Sequence, residues 1–324
     1  MELDRRSFVS GALCAAVGGT FAAEAAAGGE RPPSPAVDPA LAVLISDLHV
    51  SGEDAAKHTR PELEKTVAAI LALSPRPARV VVFGDVADTH GKACDYAAAK
   101  PLLEPLFAAG FEVSFMMGNH DHRAAFADAW PESAASSLVP GRFVHVVPVG
   151  GVDLVLMDSL WESPGVGTFN EVDGKVDGGQ LEWLAEWGAK ATRPFVVCTH
   201  HDGRQMKSFA KAAMKSSPKM CGYLHGHRHC WMPDVLHVWG SAARAVRSVG
   251  LPSTGAWGDI GFALFRAYSD RAELTLVERD FYFPKPAPAA ANPSWKAVLA
   301  ENRNARVTFF WPCGSACNFS RNHL

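Results

Sequence analysis

Short apolar runs recur along the first two thirds of the chain and alternate with stretches of helical periodicity. Residues 40–45, 79–83, 112–117, 152–157 and 194–198 are each short and apolar enough to be strands buried on both faces. Between several of them, residues 61–73, 95–108 and 179–191 carry the spacing of amphipathic helices. In the first of these, Leu63, Val67, Ile70 and Leu71 fall on one face. From about Lys219 the texture changes to short strands with few helices, and residues 235–239, 262–267 and 273–277 read as antiparallel neighbours. No internal repeat at solenoid periods interrupts this pattern. It predicts one α/β domain over residues 40–283 with a mixed sheet system.

The two ends follow other rules. Residues 1–27 combine the pair Arg5-Arg6 with a Gly/Ala-rich apolar stretch, too short for a membrane span. The run Asp4-Arg5-Arg6-Ser7-Phe8 resembles a twin-arginine export signal; a short N-terminal anchor or a Sec-type signal is the alternative. The expectation is a signal peptide over 1–27, a Pro/Gly-rich linker over 28–39, and no stable membrane span after the signal is removed. Residues 284–324 are expected to be a C-terminal extension. An exported chain would engage the export machinery and work in a bacterial periplasm.

The 324 residues suffice to bury a substantial core, and the net charge of -3 argues against a nucleic-acid binder. Six cysteines follow the signal segment, at positions 94, 198, 221, 230, 313 and 317. Cys313 and Cys317, separated by small residues, form the best local candidate for a disulfide, with free thiols the alternative.

Polar residues that break the apolar pattern cluster directly after the buried runs. Asp47-Leu48-His49 follows the first, Gly84-Asp85-Val86-Ala87-Asp88 the second and Gly118-Asn119-His120-Asp121 the third. Thr199-His200-His201 follows the 194–198 run, and Gly226-His227-Arg228-His229 comes last. Each motif alone is weak, since an Asp or Gly after a strand is ordinary turn chemistry. In open α/β sheets, however, loops at the carboxyl ends of strands converge on one crevice. Five such loops bearing Asp, Asn or His could therefore face one point.

The ordered set DxH, GDxxD, GNHD, a lone H and GHxH resembles the calcineurin-like metallophosphoesterase superfamily, over roughly residues 41–280. In GNHDHR and in the 157–159 and 179–184 segments it is similar to bacterial class III cyclic nucleotide phosphodiesterases. The resemblance implies a four-layer α/β/β/α sandwich and two divalent or trivalent metal ions (Mn, Fe or Zn). It implies Asp47, His49, Asp85 and His229 around the first ion. Asp85, Asn119, His200 and His227 would surround the second, with Asp85 bridging. A bridging carboxylate can hold ions about 3.5–4 Å apart, where they activate water and neutralise phosphoryl charge. His120 is the expected acid, with Asp121 orienting it, and Asp88 is expected to brace its loop. Arg123, His201 and Trp161 are expected substrate contacts, although Arg123 could instead form a salt bridge. Trp161 and Trp231 could form an aromatic wall for a base or sugar, although core or rim packing is the commoner fate of a tryptophan. The expected activity is hydrolysis of a small phosphoester, a diester in preference to a monoester. A non-catalytic metal-binding protein is the competing class.

Overall fold

A computed structural model describes residues 36–164, 170–237, 245–282 and 305–311. The signal segment 1–27, most of the linker, most of the C-terminal extension and the Cys313/Cys317 pair lie outside the described residues.

The chain runs β1 (Val37–Ile45), α1 (Thr59–Leu71), β2 (Arg76–Val82), α2 (Ala93–Ala108), β3 (Glu112–Phe115), α3 (Arg123–Ala129) and α4 (Pro131–Ala135). It continues through β4 (His145–Val149), β5 (Val152–Leu156), α5 (Gly178–Lys190), β6 (Phe195–Thr199), α6 (Lys207–Ser216) and β7 (Met220–His225). The last elements are β8 (Met232–His237), β9 (Ala245–Gly250), β10 (Gly258–Ala267), β11 (Arg271–Tyr282) and β12 (Arg306–Phe310). Two six-stranded sheets result, ordered β12-β11-β10-β1-β2-β3 and β4-β5-β6-β7-β9-β8. β1, β2 and β3 are mutually parallel, as are β5, β6, β7 and β9. The antiparallel partners sit around them, with β10 pairing β1 and β11.

Alternation along each strand divides the core into layers. In β1, Ala42 and Leu44 face the second sheet, where they join Val81, Leu154, Val196 and Leu224 in the inter-sheet core. Val43 and Ile45 face the other way, onto Leu63, Val67 and Ile70 of α1 and Leu103 of α2. On the far side, Val155 and Val197 pack against Leu184 of α5 and Phe209 and Ala213 of α6. This is the expected α/β/β/α sandwich.

Two details differ from the pattern reading. β1 begins at Val37, inside the expected linker, and β12 adds an edge strand from within the expected extension. Leu71 is exposed because α1 turns its Leu63–Val67–Ile70 stripe inward and ends there. Trp231 lies in the inter-sheet core, 4% exposed, as the packing reading has it.

Candidate metal centre

All five motif loops leave the carboxyl ends of parallel strands, so they meet at one edge of the sandwich. Ser46 to His49 follow β1, Phe83 to Asp85 follow β2, and Met116 to His120 follow β3. His200 follows β6, and His227 and His229 follow β7. The close approach needs small residues. A Cβ on Gly118 would lie 2.1 Å from Asp85 Oδ1, and one on Gly226 would lie 2.1 Å from Ser46 Oγ.

Donor atoms of Asp47, His49, Asp85 and His229 gather within 4.8 Å of one another. His49 Nε2 and His229 Nε2 face each other at 3.3 Å, His229 Nε2 lies 3.1 Å from Asp47 Oδ1, and His49 Nε2 lies 3.6 Å from Asp85 Oδ2. The second set shares Asp85, whose Oδ2 is 3.2 Å from His200 Nε2. Asn119 Oδ1 lies 3.2 Å from His200 Nε2 and 2.9 Å from His227 Nδ1. Asp85 Oδ2 therefore lies between the two groups.

The outward nitrogens explain why these atoms point inward. His49 Nδ1 meets the Asp88 carbonyl at 3.1 Å, His229 Nδ1 the Trp257 carbonyl at 3.2 Å and His200 Nδ1 the Phe83 carbonyl at 2.6 Å. A carbonyl can only accept, so each Nδ1 carries a proton and each Nε2 faces the centre, where it offers a lone pair once the ring is neutral. Two such lone pairs at 3.3 Å repel unless a proton or a cation lies between them. That tautomer set, together with carboxylates and an amide oxygen and without thiolate, fits Mn, Fe or Zn in an open catalytic site.

Charge in the centre is unbalanced in the same sense. Burial alone would raise the carboxyls of Asp47 and Asp85. The surrounding imidazoles, chiefly His229 for Asp47 and His200 for Asp85, instead hold both below the usual range. Burial opposes the charge on His200, yet Asp85 and Asp47 push its pKa up to about 9. Burial and repulsion from His200 press His227 down to about 4.

The backbone carries a further mark. Among the described residues, the non-glycine positions with positive φ are Asp47, His49, Asp85, His227 and His229, at 46° to 66°. All five belong to the centre. Such conformations cost about 1–3 kcal/mol each and persist where surrounding structure enforces them.

His120 lies at the edge of this cluster. Its main-chain N–H donates to Asp85 Oδ1 at 2.8 Å, and its ring stands edge-on to His49 at 4.7 Å. Its Nδ1 is buried without a hydrogen-bond partner. Asp121 does not orient it. The Asp121 carboxylate accepts instead from the Val86, Ala87 and Gly118 amides and the Tyr96 hydroxyl, at 2.9–3.2 Å. Burial, with Asp85 adding repulsion, raises its pKa to about 7. Asp88 braces its loop as expected, with its carboxylate paired to Lys57 and its carbonyl on His49.

The expected substrate contacts fare differently. Arg123 is held by Asp158 at 2.7 and 2.8 Å, by Glu162 at 2.9 Å and by the Leu160 carbonyl, so the salt-bridge alternative describes it. His201 is fully buried, with Nδ1 2.8 Å from Ser159 Oγ and its ring 4.9 Å from that of His227. Its Nε2 has no hydrogen-bond partner, and His201 offers a ligand atom within 4.8 Å of those of His200 and His227. Trp161 is 43% exposed beneath Lys175 and, with Arg123, lines a cleft of about 270 Å³ that none of the seven ligand candidates lines. Cys94, Cys198 and Cys230 are thiols, not half-cystines. His225, the last residue of β7, directs Nδ1 to the Gly226 carbonyl and takes no place among the ligands.

A sixth loop, residues 252–259, escaped the sequence reading because it carries no histidine and no motif. Ser253 Oγ donates to the Asp47 carbonyl at 3.0 Å, and Thr254 Oγ1 donates to the Ser46 carbonyl at 2.9 Å. Asp259 N–H donates to the His229 carbonyl at 2.8 Å, while its carboxylate accepts from Trp231 N–H. Pro-Ser-Thr-Gly between two apolar runs was the available signal. Asn170 was likewise missed; its Nδ2 donates to the carbonyls of Asn119 at 2.9 Å and Asp121 at 2.7 Å.

The profile of the family described as Calcineurin-like phosphoesterase matches residues 41–231. A Mycobacterium tuberculosis protein named a cAMP/cGMP dual specificity phosphodiesterase is 29% identical over 163 residues, 48% of each chain. A Rhodococcus erythropolis protein named "Probable cyclic nucleotide phosphodiesterase" is 28% identical over 165 residues, 49% of this chain and 51% of its own. The chain thus spans about half the length of the curated relatives it matches. Among solved structures, a dimetal phosphatase from Danio rerio shares the fold with a TM-score of 0.56 at 17% identity, over 74% of this chain and 96% of its own.

Proposed function

The chain belongs to the calcineurin-like phosphoesterase family, and on that premise we propose that it is a dinuclear metal-dependent phosphodiesterase. The observation that carries this reading is the convergence of donor atoms, with three Nε2 atoms directed inward by carbonyls at the opposite nitrogens. Asp47, His49, Asp85 and His229 would hold one ion, and Asp85, Asn119, His200 and His227 the other. Bound there, two cations would supply Lewis acidity to a phosphoryl oxygen and activate a water for in-line attack.

The protein's own groups do the remaining work. His120, anchored through its amide to Asp85, sets its ring at the edge of the centre, edge-on to His49. From there it donates a proton to the leaving alkoxide. The carbonyls behind His49, His200 and His229 fix ring orientation, and the buried inter-sheet core excludes water from beneath the centre. A diester suits the site better than a monoester dianion, because Arg123, beside the GNHD loop, is already neutralised by Asp158 and Glu162. The printed names of the two relatives support the same preference.

The twin-arginine-like segment supports export, with signal removal near residue 27 and a working place in the periplasm. Cell fractionation with N-terminal sequencing tests it; intact residues 1–27 on a cytoplasmic protein would refute it. Activity is tested by comparing bis-p-nitrophenyl phosphate with p-nitrophenyl phosphate on protein loaded in turn with Mn, Fe and Zn. Faster turnover of the diester is expected, and no turnover with any of the metals overturns the reading.

A further inference from the structure

The turn that carries Asn119 and His120 is closed by its own groups and by Asp85. Asp121 N–H donates to the Gly118 carbonyl at 3.2 Å, Gly118 N–H donates to Asp121 Oδ2 at 2.9 Å, and His120 N–H donates to Asp85 Oδ1 at 2.8 Å. Two carbonyls of the same turn are held from another loop. Asn170 Nδ2 donates to the Asn119 carbonyl at 2.9 Å and to the Asp121 carbonyl at 2.7 Å, while its Oδ1 accepts from Ser163 N–H at 2.9 Å. A carboxamide nitrogen carries two N–H donors, so both are spent on carbonyls two residues apart.

Asn170 is buried, and the backbone that delivers it is itself fixed. Glu171 N–H donates to the Trp161 carbonyl at 3.1 Å, and Lys175 N–H donates to the Ser159 carbonyl at 2.9 Å. Gly174 lies so close to His201 that a Cβ on it would run into that ring. The segment therefore reaches the second group of donors twice, at Asn119 through Asn170 and next to His200 through Gly174 and His201. Asp47, His49 and His229 of the first group come from other loops, and Asp85 has its own tie, through its carbonyl to His49 N–H at 2.9 Å.

We propose that Asn170 is a positioning residue for the second metal ion, fixing the backbone from which the Asn119 amide oxygen reaches that ion. The proposal rests on the dinuclear reading and adds to it that one side chain governs affinity for one ion of the two. Asn119 Oδ1 stands 2.9 Å from His227 Nδ1 and 3.2 Å from His200 Nε2. Without the Asn170 amide, two carbonyls lose their donor and the turn loses the hold that sets this oxygen between the two imidazoles. Residues that hold ligands in place govern metal affinity about 10–100-fold.

The test titrates the metal-free full chain with Mn by calorimetry, with urea unfolding of the same proteins to show that each is folded. Wild type should take two ions. Asn170→Ala should take the first as wild type does and the second about 10–100-fold more weakly. Asn170→Asp, which keeps the shape but turns an oxygen towards the two carbonyls, should lose at least as much. If one variant does not fold, the other decides. Unchanged binding of the second ion overturns the proposal alone. Equal weakening of both ions does so too, since that is the mark of a residue that only stabilises the fold. A wild-type protein that binds fewer than two ions removes the dinuclear reading and this proposal with it.

Discussion

The Tyr96 hydroxyl donates to the Asp121 carboxylate at 3.2 Å, deep beneath the loops that carry the candidate metal ligands. Three main-chain amides share that carboxylate, so Asp121 ties the turns after β2 and β3 into one body. Asp121→Ala leaves buried donors without an acceptor, at about 1–3 kcal/mol for each group not rescued by water. We expect a loss of about 3 kcal/mol or more in urea unfolding. A stability within 1 kcal/mol of wild type, on the order of one lost net hydrogen bond, would contradict this role.

In the proposed mechanism His120 contributes to chemistry and not to metal binding. His120→Ala should lower kcat by about 10²–10⁴-fold, with metal content per chain unchanged by elemental analysis. Loss of metal in step with loss of rate would place His120 among the ligands instead.

The site was largely legible because its ligand types sit at the ends of apolar runs, where strand polarity brings loops together. The layers were legible for the same reason: Ala42/Leu44 and Val43/Ile45 must face opposite ways. The roles of Asp121 and Arg123 were not, since a carboxylate beside a histidine and a guanidinium beside a motif have no direction in sequence. Nor was the 252–259 loop, whose contribution runs through hydroxyls to carbonyls. The left-handed φ of five ligands has no composition signal at all, because the positions that need it hold Asp and His instead of Gly.

His145 in β4 adds a pH dependence away from the centre. Burial holds its pKa below the ordinary 6.5, against a partial upward pull from Asp158, and its Nε2 is buried without a hydrogen-bond partner. The unfolded chain therefore takes up this proton before the folded one. The contribution to stability is complete above 6.5 and is lost as pH falls from there towards the folded value. Thermal melts from about pH 7.5 to about pH 5.5 should show wild type losing stability more steeply than His145→Gln. Parallel curves would contradict the assignment.

The central claim is one centre of two ions bridged by Asp85, and metal stoichiometry measured beside turnover tests it most directly. Elemental analysis of the metal-loaded wild-type protein should give two ions per chain with diester hydrolysis, and Asp85→Ala should lose both ions and turnover together. A wild-type protein that hydrolyses the diester with a single ion, or an Asp85→Ala variant that keeps two ions and full turnover, would contradict it.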